Sequence, residues 1–167
     1  MTALHPALEH VAGLLGTWTG RGHGEYPTIA PFDYVESITF DHVGKPFLGY
    51  RQRTRSIGAG GVPAQPMHAE SGYWRFPSPG RVEVALSHPT GIVEIEEGSI
   101  ELALDGALVV ELATTSVLAS STAKEVVALE RTFRIDGDTI EYRVRMAAVG
   151  VPMQHHLAAR LEREPPT

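Results

Sequence analysis

The chain has 167 residues, no cysteine and a formal net charge of -6, from 14 Lys and Arg against 20 Asp and Glu. The length suits one domain, 1–167, with a core that needs no disulfide or metal staple. Without thiols there are no disulfides, zinc–thiolate sites, haem–thiolate ligation or thiol nucleophile, and the acidic balance with no basic run argues against nucleic acid and against a polybasic membrane anchor.

Residues 4–15 are predicted to form a short helix, because Leu4, Leu8, Val11 and Leu15 recur at spacings of three and four and Gly16 then stops it. The N-terminus has neither a basic leader region nor a long apolar stretch, and no apolar run reaches membrane-spanning length. With the missing cysteine, this predicts a soluble, cytoplasmic protein that engages no membrane.

Strands are predicted from there on. Residues 17–26 alternate around Trp18 and several glycines, and 32–42, 45–56 and 67–76 are rich in β-branched and aromatic types. Pro77-Ser78-Pro79-Gly80 is a turn, after which Val82, Val84 and Leu86 alternate with Arg81, Glu83 and Ala85. Segments 92–97 and 100–104 follow as separate strands, then a hairpin turn at Asp105-Gly106 and a strand through Leu108, Val110 and Leu112. Val127, Leu129, Phe133 and Ile135 alternate with Ala128, Glu130, Thr132 and Arg134, and Asp136-Gly137 turns the chain again. Ile140, Tyr142, Val144 and Met146 define the next strand, 154–163 the last, and 164–167 a tail. Hairpin spacing with no crossover helix predicts an all-β fold, an antiparallel up-and-down barrel of about ten strands with a short N-terminal helix and room for a small ligand.

Eight histidines are present, so imidazole is the natural ligand for any iron or other metal here. There is no Gly-x-Ser-x-Gly elbow, P-loop or His-Glu-x-x-His. Glu94, Glu96, Glu97 and Glu101 form an acidic run that reads as a solvated strand face. His5, His10, His42 and His88 read as surface or turn residues, and His23 as exposed.

The run Gly16-Thr17-Trp18-Thr19-Gly20-Arg21-Gly22-His23-Gly24-Glu25-Tyr26-Pro27-Thr28 resembles the nitrobindin signature, a Gly-x-Trp-x-Gly-x-Gly-x-Gly stretch followed by an aromatic-Pro-Thr turn. Pro31-Phe32-Asp33-Tyr34, His42-Val43-Gly44-Lys45-Pro46, Met67 to Tyr73, Ala123-Lys124-Glu125 and Pro152 to Leu157 also resemble that family, in the right order. The resemblance implies a ten-stranded antiparallel barrel holding one ferric haem b near its mouth on a histidine of the last strand. It further implies isomerisation of peroxynitrite to nitrate and reversible nitric oxide binding, and leaves the oligomeric state open.

By the family's Pro-x-x-x-His-Leu pattern the axial ligand is His156, carrying both the metal and the catalytic role. Regular strand parity disagrees: it puts His155 on the face of Leu157, Ala159 and Leu161, and only a bulge near Pro152 would shift the phase. Read without the resemblance, both are surface histidines at a strand end. The resemblance also places Thr28 and Lys124 beside the haem propionates, and Met67, His68 and Met146 on the distal wall. Trp18 reads as a plug for one barrel end. Two other readings use the same fold: a non-enzymatic haem or nitric oxide sensor, and a lipid-binding barrel. The second needs an inward arginine, and Arg143 and Arg145 alternate away from the apolar face.

Overall fold

A computed structural model describes residues 2–165, so the tail expected at 164–167 lies partly outside the described residues. A 3₁₀ helix (Pro6–Leu14) precedes ten strands: β1 (Gly16–Tyr26), β2 (Ile29–Asp41), β3 (Phe47–Ile57), β4 (Pro63–Arg75), β5 (Arg81–His88), β6 (Ile92–Leu102), β7 (Leu108–Ala119), β8 (Val126–Asp136), β9 (Thr139–Ala148) and β10 (Val151–Arg163). Each strand pairs antiparallel with its sequence neighbour, and β1 pairs with β10 to close the barrel. Closure leaves no free sheet edge.

Period-two alternation decides which side chains enter. In β9, Ile140, Tyr142 and Val144 are buried and Glu141, Arg143 and Arg145 are exposed. In β5, Val82, Val84 and Leu86 are buried in the same way. Two expectations change. Segments 92–97 and 100–104 belong largely to one strand, β6, which runs unbroken through Gly98. A Cβ at Gly98 would stand 1.7 Å from the Glu111 carbonyl oxygen of β7, so this glycine admits a close backbone approach instead of making a turn. The N-terminal helix is 3₁₀, and it buries Leu8, Val11 and Leu14 at a strict spacing of three in place of the expected Leu4, Leu8, Val11 and Leu15. Three residues per turn put every third side chain on one face. Pro6 starts the helix, and the His5 side chain accepts a hydrogen bond from the Ala7 N–H.

This helix closes one end of the barrel. Its buried residues join Trp18, Phe40, Leu48 and Phe76 in the core. The Trp18 indole donates to the Leu14 carbonyl at 2.9 Å, and the Arg163 guanidinium lies 4.0 Å over the Trp18 ring while donating to the carbonyls of Gly13 and Leu15. Trp18 therefore plugs this end and pins the helix, leaving the other end for a ligand.

At that other end the ladders loosen. The β7–β8 register stops at Ala113 opposite Glu130, and β4–β5 pairing starts only at Ser71. Side chains replace some missing backbone bonds. The Thr54 hydroxyl accepts from the His68 N–H at 3.0 Å beside a register shift between β3 and β4, and the Thr114 hydroxyl accepts from the Leu129 N–H at 3.1 Å. The β1 glycines matter here as well. Gly22 faces Tyr34 and Gly24 faces Phe32 across β2, and a Cβ at either would sit about 2.2–2.3 Å from the facing ring. Bare positions on β1 thus let two aromatic rings lie across its inner face.

Candidate functional site

The open end leads into a cavity of about 320 Å³. Ile29, Phe32, Leu129, Val144, Met146 and Leu157 give it an apolar wall, and Tyr34, Glu36, Tyr50, Glu70, His88 and Arg131 give it a polar inner part.

His156 lines this cavity and His155 does not. The cause is a bulge in β10. His155 stands opposite Arg145 of β9 and Leu157 opposite Val144, so His156 is an extra residue between two consecutive pairs. One inserted residue breaks the parity that would have put His155 on the Leu157 face. A second irregularity, between Val151 and Gln154, spans Pro152. His155 follows the exposed Arg145 outward, and His156 and Leu157 both reach the cavity.

The neutral His156 ring is held in one tautomer. Its Nδ1 lies 3.0 Å from the Glu25 carbonyl oxygen, which can only accept, so Nδ1 carries the hydrogen and Nε2 keeps its lone pair. Burial pushes the imidazole pKa below its ordinary value, against the opposing pull of the Glu25 hydrogen bond. The Tyr26 ring meets it edge-on, with centroids 5.3 Å apart. A neutral, oriented imidazole with a free Nε2 is what a metal requires of histidine.

Met67, His68 and Met146 share the cavity with His156. Thr28 and Lys124 are exposed and do not line it, although each is within two residues of a lining residue, Ile29 and Val126 respectively.

Sequence reasoning missed the polar interior. Glu94 and Glu96 are buried, not part of a solvated face, and their neighbours Val93 and Ile95 are the exposed residues. Arg131 is also buried, and it donates from Nη1 to Glu70 at 2.8 Å, from Nη2 to Glu94 at 2.5 Å and from Nε to Glu96 at 3.0 Å. His88 is no simple turn residue: its side chain is 8% exposed, with Nε2 2.8 Å from Glu94 and Nδ1 3.1 Å from His68 Nε2. Beside them, Glu36 accepts from Gln52 and Tyr142, and Tyr142 shares a hydrogen bond with Tyr34. Parity was the available signal. Glu94 and Glu96 are in phase with Ile92, Arg131 with Leu129 and Phe133, and His88 with Leu86.

Burial dominates the electrostatics of this interior. It raises the Glu36 carboxyl to about 7 despite hydrogen bonds from Tyr142 and Gln52, and raises Glu96 to about 7 despite Arg131. Burial also opposes ionisation of Glu70, but there Arg131, His88 and Tyr50 outweigh it and hold the carboxyl below the usual range. Burial lowers the His68 imidazole.

These residues fit a haem. A neutral imidazole whose Nδ1 is occupied by a carbonyl lines a cavity with an apolar wall, at the barrel end where the β7–β8 and β4–β5 ladders stop short.

The family model of a THAP4-like, heme-binding beta-barrel domain matches residues 7–163. A protein of Mycobacterium avium named peroxynitrite isomerase 2 is 58% identical over 98% of this chain and 98% of its own length. A Nocardia farcinica protein named peroxynitrite isomerase is 59% identical over 97% of this chain and 94% of its own. The crystal structure of Rv2717c from Mycobacterium tuberculosis superposes with a TM-score of 0.91, at 51% identity, covering 98% of this chain and all of that one.

Proposed function

Because the chain belongs to the THAP4-like, haem-binding β-barrel family, the nitrobindins, we propose that it holds one ferric haem b through His156 Nε2 and isomerises peroxynitrite to nitrate. The observation that carries this reading is the His156 imidazole, turned into the cavity by a bulge and fixed as the Nδ1–H tautomer by the Glu25 carbonyl. The relatives' names supply the reaction.

When bound, the haem would supply the iron chemistry that converts peroxynitrite to nitrate, an isomerisation that leaves atoms and charge unchanged. The chain's part is to bind, orient and exclude. Glu25 and Tyr26 keep the His156 ring in one tautomer and one plane. Met67 and Met146 would offer soft, polarisable surface within the cavity. His68, held by its backbone to Thr54, is the polar group available there to an oxyanion. Thr28 and Lys124, exposed and close in sequence to the lining residues Ile29 and Val126, would serve the haem propionates, the threonine as a hydrogen-bond donor and the lysine as a counter-charge. Nitric oxide would be a second small ligand of the same haem. A cytoplasmic location belongs to this reading, in keeping with a chain that lacks cysteine; no described helix is long and apolar enough to cross a membrane.

The lipid-binding alternative requires an inward cation free to meet a carboxylate. Arg131 is inward, but Glu70, Glu94 and Glu96 already occupy its guanidinium. The test of the enzymatic reading is stopped-flow decay of peroxynitrite with haem-loaded protein against an equal concentration of free haem. Faster decay with nitrate as the product is expected; decay no faster than with free haem, in protein that binds haem, leaves only the sensor reading.

A further inference from the structure

Across the barrel from His156 stands a second set of metal-ligating side chains. His68 and Glu70 lie on β4 and His88 ends β5, and β5 is five strands from β10 in either direction round the ring. His68 Nε2 and His88 Nδ1 are 3.1 Å apart, His88 Nδ1 and Glu70 Oε2 are 3.6 Å apart, and all three ligating atoms fall within 4.8 Å of one another. Two donors each about 2.1 Å from a tetrahedral metal ion are roughly 3.4 Å from one another. The two short separations bracket that value.

The surroundings support the three ligands. Glu94 Oε1 lies 2.8 Å from His88 Nε2. A carboxylate there takes the Nε2–H and leaves the Nδ1 lone pair facing His68 and Glu70, the arrangement by which a carboxylate orients a metal-bound histidine. Glu70 receives Tyr50 and Arg131 on Oε1 alone, which leaves Oε2 for another partner. His68 is fixed through its backbone by Thr54 on both its N–H and its carbonyl. Among the described residues, four buried carboxyls, Glu36, Glu70, Glu94 and Glu96, surround one buried arginine, Arg131. Oε2 of Glu94 and Oε2 of Glu96 are buried without a hydrogen-bond partner. A buried polar cluster with unpartnered carboxyl oxygens is receptive to a cation.

We propose that His68 Nε2, His88 Nδ1 and Glu70 Oε2 form a binding site for a divalent first-row transition-metal ion, with its open positions facing the barrel cavity. Two imidazoles and one carboxylate suit zinc, cobalt or ferrous iron and disfavour magnesium and calcium, which require oxygen donors. Glu94 is a positioning residue that fixes the His88 tautomer. The site lies on the wall of the cavity that His156 also lines, and uses none of the atoms of His156.

The probes are Zn²⁺ and Co²⁺ alone. Chelator-stripped full-length protein, haem-free and haem-loaded, is titrated with Zn²⁺ by calorimetry. One Zn²⁺ per chain is expected in both forms. Affinity should fall at least tenfold in His68→Ala, which removes a half-buried ring and leaves the Thr54 backbone contacts in place, and by roughly 10–100-fold in Glu94→Gln. His155→Ala should bind as wild type. In haem-free protein, Co²⁺ should develop visible d–d bands that are lost in His68→Ala. Circular dichroism verifies that each variant is folded. No Zn²⁺ binding by wild type overturns the proposal, as does binding that survives His68→Ala and disappears in His155→Ala or His156→Ala. Neither result bears on haem binding by His156, which is read separately from the Soret band.

Discussion

Tyr26 joins the ring of His156 to the backbone of β9. Its ring packs edge-on against the imidazole, and its hydroxyl lies 2.9 Å from the Ala148 N–H and 3.2 Å from the Met146 carbonyl. The bulged part of β10 lies between β1 and β9 in the barrel, so Tyr26 bridges the two neighbours of the irregular strand. The bulge that re-aims His156 is thereby tied to both neighbouring strands.

Tyr26→Phe keeps the aromatic contact and removes the hydroxyl. The buried Ala148 N–H then loses its partner, at a cost of about 1–3 kcal/mol. Haem affinity should fall roughly tenfold as the support of the ligand loosens. Urea unfolding and a haem titration measure the two effects, and full retention of both would remove Tyr26 from the account.

Arg131→Met strands three buried carboxylates, Glu70, Glu94 and Glu96, and should destabilise the barrel by about 3–5 kcal/mol. Adding Glu70→Gln, Glu94→Gln and Glu96→Gln to the same variant should recover part of that loss, because the cost lies in uncompensated charge more than in lost contacts. Chemical denaturation of the single and combined variants checks the order.

The pH dependence has a defined sign. Glu36 has a folded pKa of about 7 against an ordinary 4.5, so between those values the native state holds a proton that the unfolded chain has released. Its contribution to stability is complete below about 4.5 and is lost as pH rises toward 7. Glu96 acts in the same sense over the same window. Glu70 acts oppositely: its depressed pKa contributes stability above the ordinary carboxylate range that is lost as pH falls. Glu36→Gln should therefore flatten the decline in unfolding free energy between pH 4.5 and 7, by on the order of 3 kcal/mol across the window. Unfolding curves at several pH values test this, and an unchanged slope would show that Glu36 ionises normally in the barrel.

Alternation and turn chemistry made most of the architecture legible. The hairpin turns at Asp105-Gly106 and Asp136-Gly137 and the inward sets of β5 and β9 appear where those rules place them. The helix departs because spacings of three and four suit either helical period, and only packing against Trp18 and Phe40 selects three. The bulge at His156 has no residue signature, since two adjacent histidines look the same in either phase. The motif pointed to His156 where parity pointed to His155, and the coordinates show an extra residue between the two pairs. The buried charges were misjudged for a different reason. Glu94 and Glu96 alone look like a solvated run, and their compensation comes from Arg131, more than thirty residues later on another strand.

Haem titration of the apo-protein in wild type, His156→Ala and His155→Ala decides whether His156 holds the iron. A saturating one-to-one Soret shift is expected in wild type and His155→Ala and is lost in His156→Ala. Loss in His155→Ala with retention in His156→Ala, or no specific shift in wild type, would contradict it.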